Sequence, residues 1–411
     1  MALVSRAPRQ PLTSERGAIV IQTGVAILVL SAFAMFIIDY GALWVSRHQA
    51  QNAADAGALA GATALAFDDF DDRDDDGPAK VAAQQFAQAN AVWGEAPDVQ
   101  METDIRFYDD APAAFPETCA TDDCIRVDVY RNQTRDNPLP TFFGRLVGVT
   151  EQGVRATAIA RAAAANGTDC LKPWAVLDKW AESNGVYDPQ TSTFDPLTDP
   201  KDVYIAPAGN NTGTSYTLAA DLGKKITLKV GNPENAKETF GAGWFSPVDL
   251  GGVGGNTYRD NISGCPEGIY SIGDTLSVEN GNMIGPTSQG VEALRKLDEF
   301  AKWDPENKRV VDSCVQPPYS CSTPGLKTSP RIVALPVIDT QAAYDAVHND
   351  GKPKGAGNMT VKIVAILGFF VEGMSGNDVV GYLYTKPDLL VRNGGSVSPS
   401  AAFLKTVTLV R

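Results

Sequence analysis

The chain has 411 residues, enough for two or three domains that each bury a core. Its formal charge of -14, from 49 acidic against 35 basic residues, argues against a nucleic-acid-binding surface. With 38 glycines and 26 prolines, much of the chain is expected to be loop-rich β structure.

The first element in chain order is an apolar segment, residues 18–38, that contains no charged residue. A helix of this length, at about 1.5 Å per residue, crosses a hydrocarbon layer of about 30 Å. A secretory signal has a shorter apolar region, followed by small residues at a cleavage site. We therefore expect a transmembrane helix that is retained.

Basic residues near the span predict its orientation. Three arginines precede it, whereas Asp39 follows it directly and Arg47 comes only further on. The positive-inside bias places residues 1–17 in the cytoplasm and the chain after Ile38 outside, which in a bacterium is the periplasm. The three preceding arginines are Arg6, Arg9 and Arg16.

Residues 40–66 contain no proline and are rich in alanine, so the span is expected to continue as a helix into solvent. One of its faces is polar at four-residue spacing, and others carry only small residues that let a neighbouring backbone come close. The helix either packs on its own domain or binds a partner, including a second copy. The candidate interaction residues are Asp39, Arg47, Gln51, Asp55, Gly57 and Gly61.

This N-terminal pattern resembles a known family signature. An apolar span follows Arg16-Gly17, then come Asp39-Tyr-Gly41, Arg47 and the block QNAADAGALAGA that begins at Gln51. The pattern resembles the TadE/TadG-like proteins of the tight-adherence (Flp) pilus-assembly system. The resemblance implies a membrane-anchored accessory protein of pilus or envelope-appendage assembly, with no catalytic residues to carry over. Some such proteins contain a von Willebrand A domain, but its D-x-S-x-S metal motif does not occur in this sequence.

The same segment leaves a second interpretation open. In pilin-type leaders a glycine precedes the cleaved bond and a glutamate lies five residues on. Gly17 could be that glycine, but Gln22 stands where the glutamate is expected. Cleavage there would release a minor pilin-like subunit from its leader.

An acidic stretch follows the long helix. Asp72, Asp74, Asp76 and Gly77 match the first half of a D-x-D-x-D-G calcium loop, in which alternate carboxylates converge on the cation. The twelfth position holds Ala83 instead of a glutamate. The stretch is therefore either a calcium site or a solvated acidic turn.

The fold class predicted for the whole chain is α+β. Residues 39–165 predict a small unit with the order helix, helix, two strands, short helix, strand. Residues 166–411 predict a mostly β domain, interrupted by a helix at residues 288–303. The three predicted strands of the first unit are VQMETDIRFY, CIRVDVYRNQ and GVRATAIARAAA, and its short helix is PTFFGRLVGV.

Six cysteines form an even set without a Cys-x-x-Cys motif, which favours disulfides in an oxidising compartment over a zinc site. Neighbours in sequence suggest that Cys119 pairs with Cys124 and Cys314 with Cys321. That pairing leaves Cys170 and Cys265 for a longer bridge. Other connectivities remain open.

No enzyme motif stands out. His48 and His348 are the only histidines, and the sequence contains no G-x-S-x-G, H-E-x-x-H or Walker A motif. We expect no catalysis and no cofactor, apart from the calcium alternative. The expected partners are the membrane, other pilus-assembly or secretion components and a second copy of the chain. The rival from another class is a membrane-tethered periplasmic hydrolase that uses an acidic pair.

Overall fold

The computed structural model describes residues 15–67, 73–119, 123–182, 186–195, 204–207, 213–230, 240–279, 281–313, 329–349, 352–353, 359–388 and 402–410. Five of the residues on which the predictions depend lie outside these ranges: Arg6, Arg9, Asp72, Cys314 and Cys321.

The α-helices are α1 Glu15–Phe67, α2 Pro78–Ala89, α3 Met101–Asp104, α4 Leu218–Asp221, α5 Gly255–Ser263, α6 Ile284–Lys296 and α7 Thr340–Val347. Four short 3-10 helices cover Pro112–Ala114, Glu117–Cys119, Gln133–Arg135 and Gly144–Val147.

The strands divide between two units. Those up to the end of the first unit are β1 Ile105–Phe107, β2 Cys124–Arg131, β3 Leu139–Pro140, β4 Glu151–Gln152 and β5 Val154–Ala164. They are followed by β6 Gly167–Thr168, β7 Trp174–Leu177, β8 Lys225–Val230, β9 Trp244–Pro247, β10 Tyr270–Ser271, β11 Thr275–Ser277, β12 Lys302–Asp304 and β13 Arg309–Val311. The last are β14 Ile332–Ile338, β15 His348–Asn349, β16 Lys352–Pro353, β17 Thr360–Lys362, β18 Ala365–Ser375, β19 Asp378–Leu383, β20 Lys386–Pro387 and β21 Leu404–Val410.

The N-terminal unit is a five-stranded sheet in the order β1-β2-β5-β21-β20, with α1 and α2 packed on it. The predicted long helix is confirmed, because α1 continues without a break from the apolar segment to Phe67. Its alanines at positions 50, 54, 58 and 62 are fully buried on one face. Pro78 begins α2, where its missing N–H costs no hydrogen bond.

The second unit is built around a closed barrel in the order β14-β18-β19-β8-β9-β7. Four of its contacts are antiparallel, whereas β7 with β14 and β8 with β9 are parallel. Large side chains fill its core, among them Trp174, Phe245 and Phe369, all buried. The structure thus has the predicted α+β class, with a mostly β C-terminal region.

The two units are joined twice. The chain leaves the N-terminal sheet after β5, builds the barrel and returns as β21, which pairs antiparallel with β5 from Lys405–Ala164 to Val410–Ile159. Residues 386–387 and 404–410 therefore belong to the N-terminal sheet although they come after the barrel in the chain. The division into units after residue 165 stays a prediction. The barrel is an insertion between two neighbouring strands.

Two of the three predicted disulfides fall within the described residues, and both are formed. The Cα atoms of Cys119 and Cys124 are 5.6 Å apart, and those of Cys170 and Cys265 are 4.7 Å apart. The first bridge closes a short loop before β2. The second joins the segment before β7 to the chain after α5.

Three local predictions are corrected. The predicted strand VQMETDIRFY begins with helix α3, because the Asp104 carboxylate accepts the backbone N–H of Gln100 at 2.9 Å and closes a turn. The predicted short helix PTFFGRLVGV is a 3-10 helix limited to Gly144–Val147. The helix predicted at 288–303 is α6, which begins earlier, at Ile284, since Pro286 fits its first turn. It also ends earlier, at Lys296, and residues 302–303 belong to β12.

Candidate functional site

The junction between the apolar segment and the folded unit is held by Asp39. Its Oδ1 accepts the backbone N–H of Phe142 at 2.7 Å, and its Oδ2 accepts those of Phe143 at 3.0 Å and Gly144 at 2.6 Å. These amides precede or open the 3-10 helix Gly144–Val147, and such N–H groups lack partners inside the helix. Asp39 therefore fixes the loop between β3 and β4 to α1 at the point where the apolar segment ends.

The predicted polar stripe is partly used inside the unit. Gln51 Nε2 donates to Asp55 Oδ1 at 2.8 Å and to the backbone oxygen of Thr157 in β5 at 3.1 Å. Arg47, one turn before Gln51, is exposed. His48 is also exposed, and its ring packs edge-on against that of Trp44, with the ring centroids 4.3 Å apart. The part of this stripe that is available for contact with a partner is therefore its membrane-proximal end, at Arg47.

Gly57 and Gly61 are covered by the chain itself. A Cβ added at Gly57 would lie 2.8 Å from the carbonyl oxygen of Ala83 in α2, and one added at Gly61 would lie 3.0 Å from the Ala83 Cβ. These glycines let α2 approach α1 closely. We therefore assign them to packing within the unit, which was the first of the two interpretations, and not to a partner surface.

The acidic stretch is described only from Arg73 onward. Asp74 and Asp76 are exposed, and the Asp74 carbonyl accepts the Gly77 N–H at 3.0 Å to form a turn. Within the described ranges, no group of three or more His, Cys, Asp or Glu side chains is arranged to hold a metal ion. Because Asp72 lies outside those ranges, calcium binding stays a prediction.

One end of the barrel carries a cavity of about 320 Å³ that the sequence did not indicate. Asp221 accepts from Lys179 Nζ at 3.0 Å and from Lys224 Nζ at 2.8 Å. The hydroxyls of Tyr187 and Tyr216 lie 2.9 Å apart, and burial raises the pKa of both phenols. The cavity is therefore lined by paired charges and neutral phenols beside apolar side chains such as those of Trp180 and Val186.

Buried carboxyl groups bear on the hydrolase alternative. Burial raises the pKa of Asp178 to about 7, although the hydrogen bonds from Thr340 and Thr214 act in the opposite direction. Burial and then the neighbouring Asp249 raise the pKa of Glu279 to about 7. None of Asp178, Asp249 and Glu279 lines the 320 Å³ cavity. The acidic pair formed by Asp249 and Glu279 therefore does not face that cavity.

Within the described residues, one helix is long and apolar enough to cross a membrane, and it is α1. The same helix continues into the core of a folded α+β unit. The chain therefore fits a membrane-anchored protein in which a folded portion follows the apolar helix.

Comparison with protein families specifies the class further. Residues 17–64 match the family model described as putative Flp pilus-assembly TadE/G-like. This match covers the apolar segment and the QNAADAGALAGA block, and it confirms the resemblance seen in the sequence. The chain therefore carries a TadE/G-like segment, which supports a role related to Flp pilus assembly. Comparisons with curated proteins and with solved structures find no match.

Proposed function

We propose that this protein is a membrane-anchored scaffold in Flp pilus or envelope-appendage assembly, acting by protein–protein binding. The observation that carries this proposal is the single helix α1, in which the TadE/G-like segment runs from the apolar span into the core of the N-terminal unit. Because this helix is continuous and its second half is buried in the N-terminal unit, it fixes the position of that unit relative to the membrane.

The double connection of the barrel supports the same role. Because the chain enters the barrel from β5 and returns through β21, the barrel is held to the N-terminal sheet at two neighbouring strands. A domain attached by one flexible linker would sample many orientations, whereas two attachments restrict them. Such an arrangement suits the presentation of a binding surface at a defined place above the membrane.

The proposed location is the bacterial inner membrane, with residues 1–17 in the cytoplasm and the bulk of the chain in the periplasm. The arginines before the span support this orientation. The disulfides on the other side of the span also support it, since such bonds persist in oxidising compartments. In this proposal the protein catalyses no reaction.

The test concerns the exposed, membrane-proximal end of α1. Arg47→Glu reverses a charge that lies on the surface, so folding is expected to be retained while a partner contact is lost. The matched control is Lys296→Glu, an exposed charge reversal on α6 of the barrel unit. Both variants are expressed in a strain that lacks the native gene, and surface pili and protein level are measured.

Loss of pili with Arg47→Glu, at normal protein level and with normal pili for Lys296→Glu, is the expected result. Normal pili in a strain without the protein would refute the role in assembly altogether. The mass of the N-terminal peptide adds a second check, and residues 1–17 are expected to be retained. Their loss, with the protein in sheared appendages, would replace the scaffold by a cleaved pilin-like subunit.

A further inference from the structure

The loop between β3 and β4 exposes large apolar side chains next to the end of the apolar span. Residues 142–149 of this loop are called the membrane turn below. Phe142 is 52% exposed, Leu146 72% and Val149 51%. Three large apolar side chains gathered on one short loop are unfavourable in water, and such a group marks a contact surface.

The position of the membrane turn is fixed by α1. Asp39, directly after the apolar segment, accepts three backbone N–H groups of the turn. Among residues 19–38 the structure leaves every residue exposed except Met35, which lies one helical turn before Asp39 on the same face. Because α1 also contacts Gly144–Val147, the membrane turn lies beside the last turn of the span.

Aromatic side chains surround the same level of the helix. Tyr40 and Trp44 are exposed on α1, and Trp93 packs edge-on against Phe142 with ring centroids 6.0 Å apart. Aromatic residues of this kind concentrate at the boundary between hydrocarbon and water. Arg145, exposed on the membrane turn, suits lipid phosphate groups at that boundary.

From this placement we propose that the membrane turn inserts into the lipid leaflet from which α1 emerges, through Phe142, Leu146 and Val149. The occupant of this apolar surface is lipid because the surface continues that of the span, at the depth of its last turn. The N-terminal unit then meets the membrane at two points, the helix and the turn. Two points fix the tilt of the unit on the membrane, which a helix alone leaves free.

The test uses the full-length protein in its native membrane, with a photoreactive benzophenone amino acid in place of Leu146. Leu28, 69% exposed in the middle of the span, is replaced in the same way as the positive control. Val253, 78% exposed on the barrel unit, is the matched control away from the membrane. All three positions are on the surface, so folding is expected to be preserved. After illumination, lipid and protein adducts are identified by mass spectrometry.

Lipid adducts at positions 146 and 28, with none at 253, are the expected result. Lipid adducts at 28 with only protein adducts at 146 would overturn the proposal and assign the turn to a protein partner. Adducts between two copies at 146 would overturn it in favour of self-association, and the absence of any adduct there would leave the turn in water. Absence of lipid adducts at 28 would refute the membrane anchor as well as the inserted turn. The pilus assay of the Arg47→Glu variant is independent of these outcomes.

Discussion

The two units of this protein each contain a region that is packed by opposite means. Between α1 and α2 the contact consists of glycine and alanine, with Gly57 and Gly61 on one side and Ala83 and Ala87 on the other. The barrel core contains large rings instead, among them that of Phe369, fully buried. The α1–α2 contact therefore depends on the absence of side-chain volume, and the barrel core around Phe369 depends on its presence.

One buried carboxyl group from each unit shows a second contrast. In the N-terminal sheet, Asp128 is paired with Arg126 and Arg155, each at 3.1 Å, and although burial acts to raise its pKa these partners lower it. In the barrel unit, the Asp178 carboxyl accepts from hydroxyl and backbone N–H groups of Thr214 and Thr340, and burial raises its pKa to about 7. Charge is compensated at Asp128 and suppressed by protonation at Asp178.

The largest effect is expected from removing volume in the barrel. The Phe369 ring packs on Gly381 of β19, where an added Cβ would lie 2.5 Å from the ring. Phe369→Ala leaves a cavity that the closed barrel cannot fill, and it is expected to cost about 3–5 kcal/mol in the free energy of unfolding. Denaturant unfolding of the purified protein measures this loss. Phe300→Ala, at an exposed ring, is the control, and equal losses for both variants would refute the assignment of Phe369 to the core.

A smaller effect is expected from adding volume in the N-terminal unit. Gly57→Ala introduces one methyl group against the Ala83 carbonyl oxygen and the Ala87 Cβ, and overpacking of this kind costs about 1–3 kcal/mol. Gly41→Ala is the matched control, because nothing lies within 4 Å of a Cβ added at Gly41 in the same helix. That change is expected to be neutral or stabilising by up to about 1 kcal/mol. Thermal unfolding in detergent compares them, and equal stability of the two variants would contradict close packing of α1 on α2.

The smallest effect, per unit of pH, is the opposite pH response of the two carboxyl groups. Folded Asp178 keeps its proton up to about pH 7, whereas in the unfolded chain it ionises above about pH 3.9. The folded state holds more protons in this window, so stability falls as pH rises, by at most about 1.4 kcal/mol per pH unit. Asp178→Asn is expected to reduce that slope. Part of the slope remains in this variant because the pKa of Glu279 is also raised to about 7.

Asp128 provides the contrasting control. Its folded pKa is lowered, so it contributes stability above the unfolded value and loses it as pH falls through the folded value. Asp128→Asn is therefore expected to change the acid side of the profile and leave the slope between about pH 4 and 7 unchanged. Melting temperatures measured across this range distinguish the two residues. An unaltered slope in Asp178→Asn would show that Asp178 is ionised in the folded protein.

Local signals predicted a large part of the N-terminal unit. The absence of proline over residues 40–66 predicted the continuous helix, and the period-two patterns predicted β2 and β5. Proximity in sequence was sufficient for the bridge between Cys119 and Cys124. These features depend on residues close to one another in the chain, where periodicity and spacing carry the information.

Contacts between distant segments could not be predicted in this way. Nothing near Asp39 indicates that its carboxylate meets the amide of Phe142, 103 residues later. Likewise, the alternating pattern of residues 404–410 would fit the edge of any sheet. Its pairing with β5 depends on the unpaired backbone groups along the edge of β5, which the sequence pattern does not reveal. The cavity around Asp221 brings together side chains from three separate segments and has no motif.

The return of β21 to β5 has a consequence for the order of events during synthesis. The sheet of the N-terminal unit begins with residues 105–164, but it is complete only when residues 404–410 have been made. Until then β5 offers an unpaired edge, which is a site for mispairing with other nascent chains. The barrel can close in the meantime from its own strands. The unit that starts first is therefore finished after the barrel, and removing residues 404–410 would expose the edge of β5 while leaving the barrel strands whole.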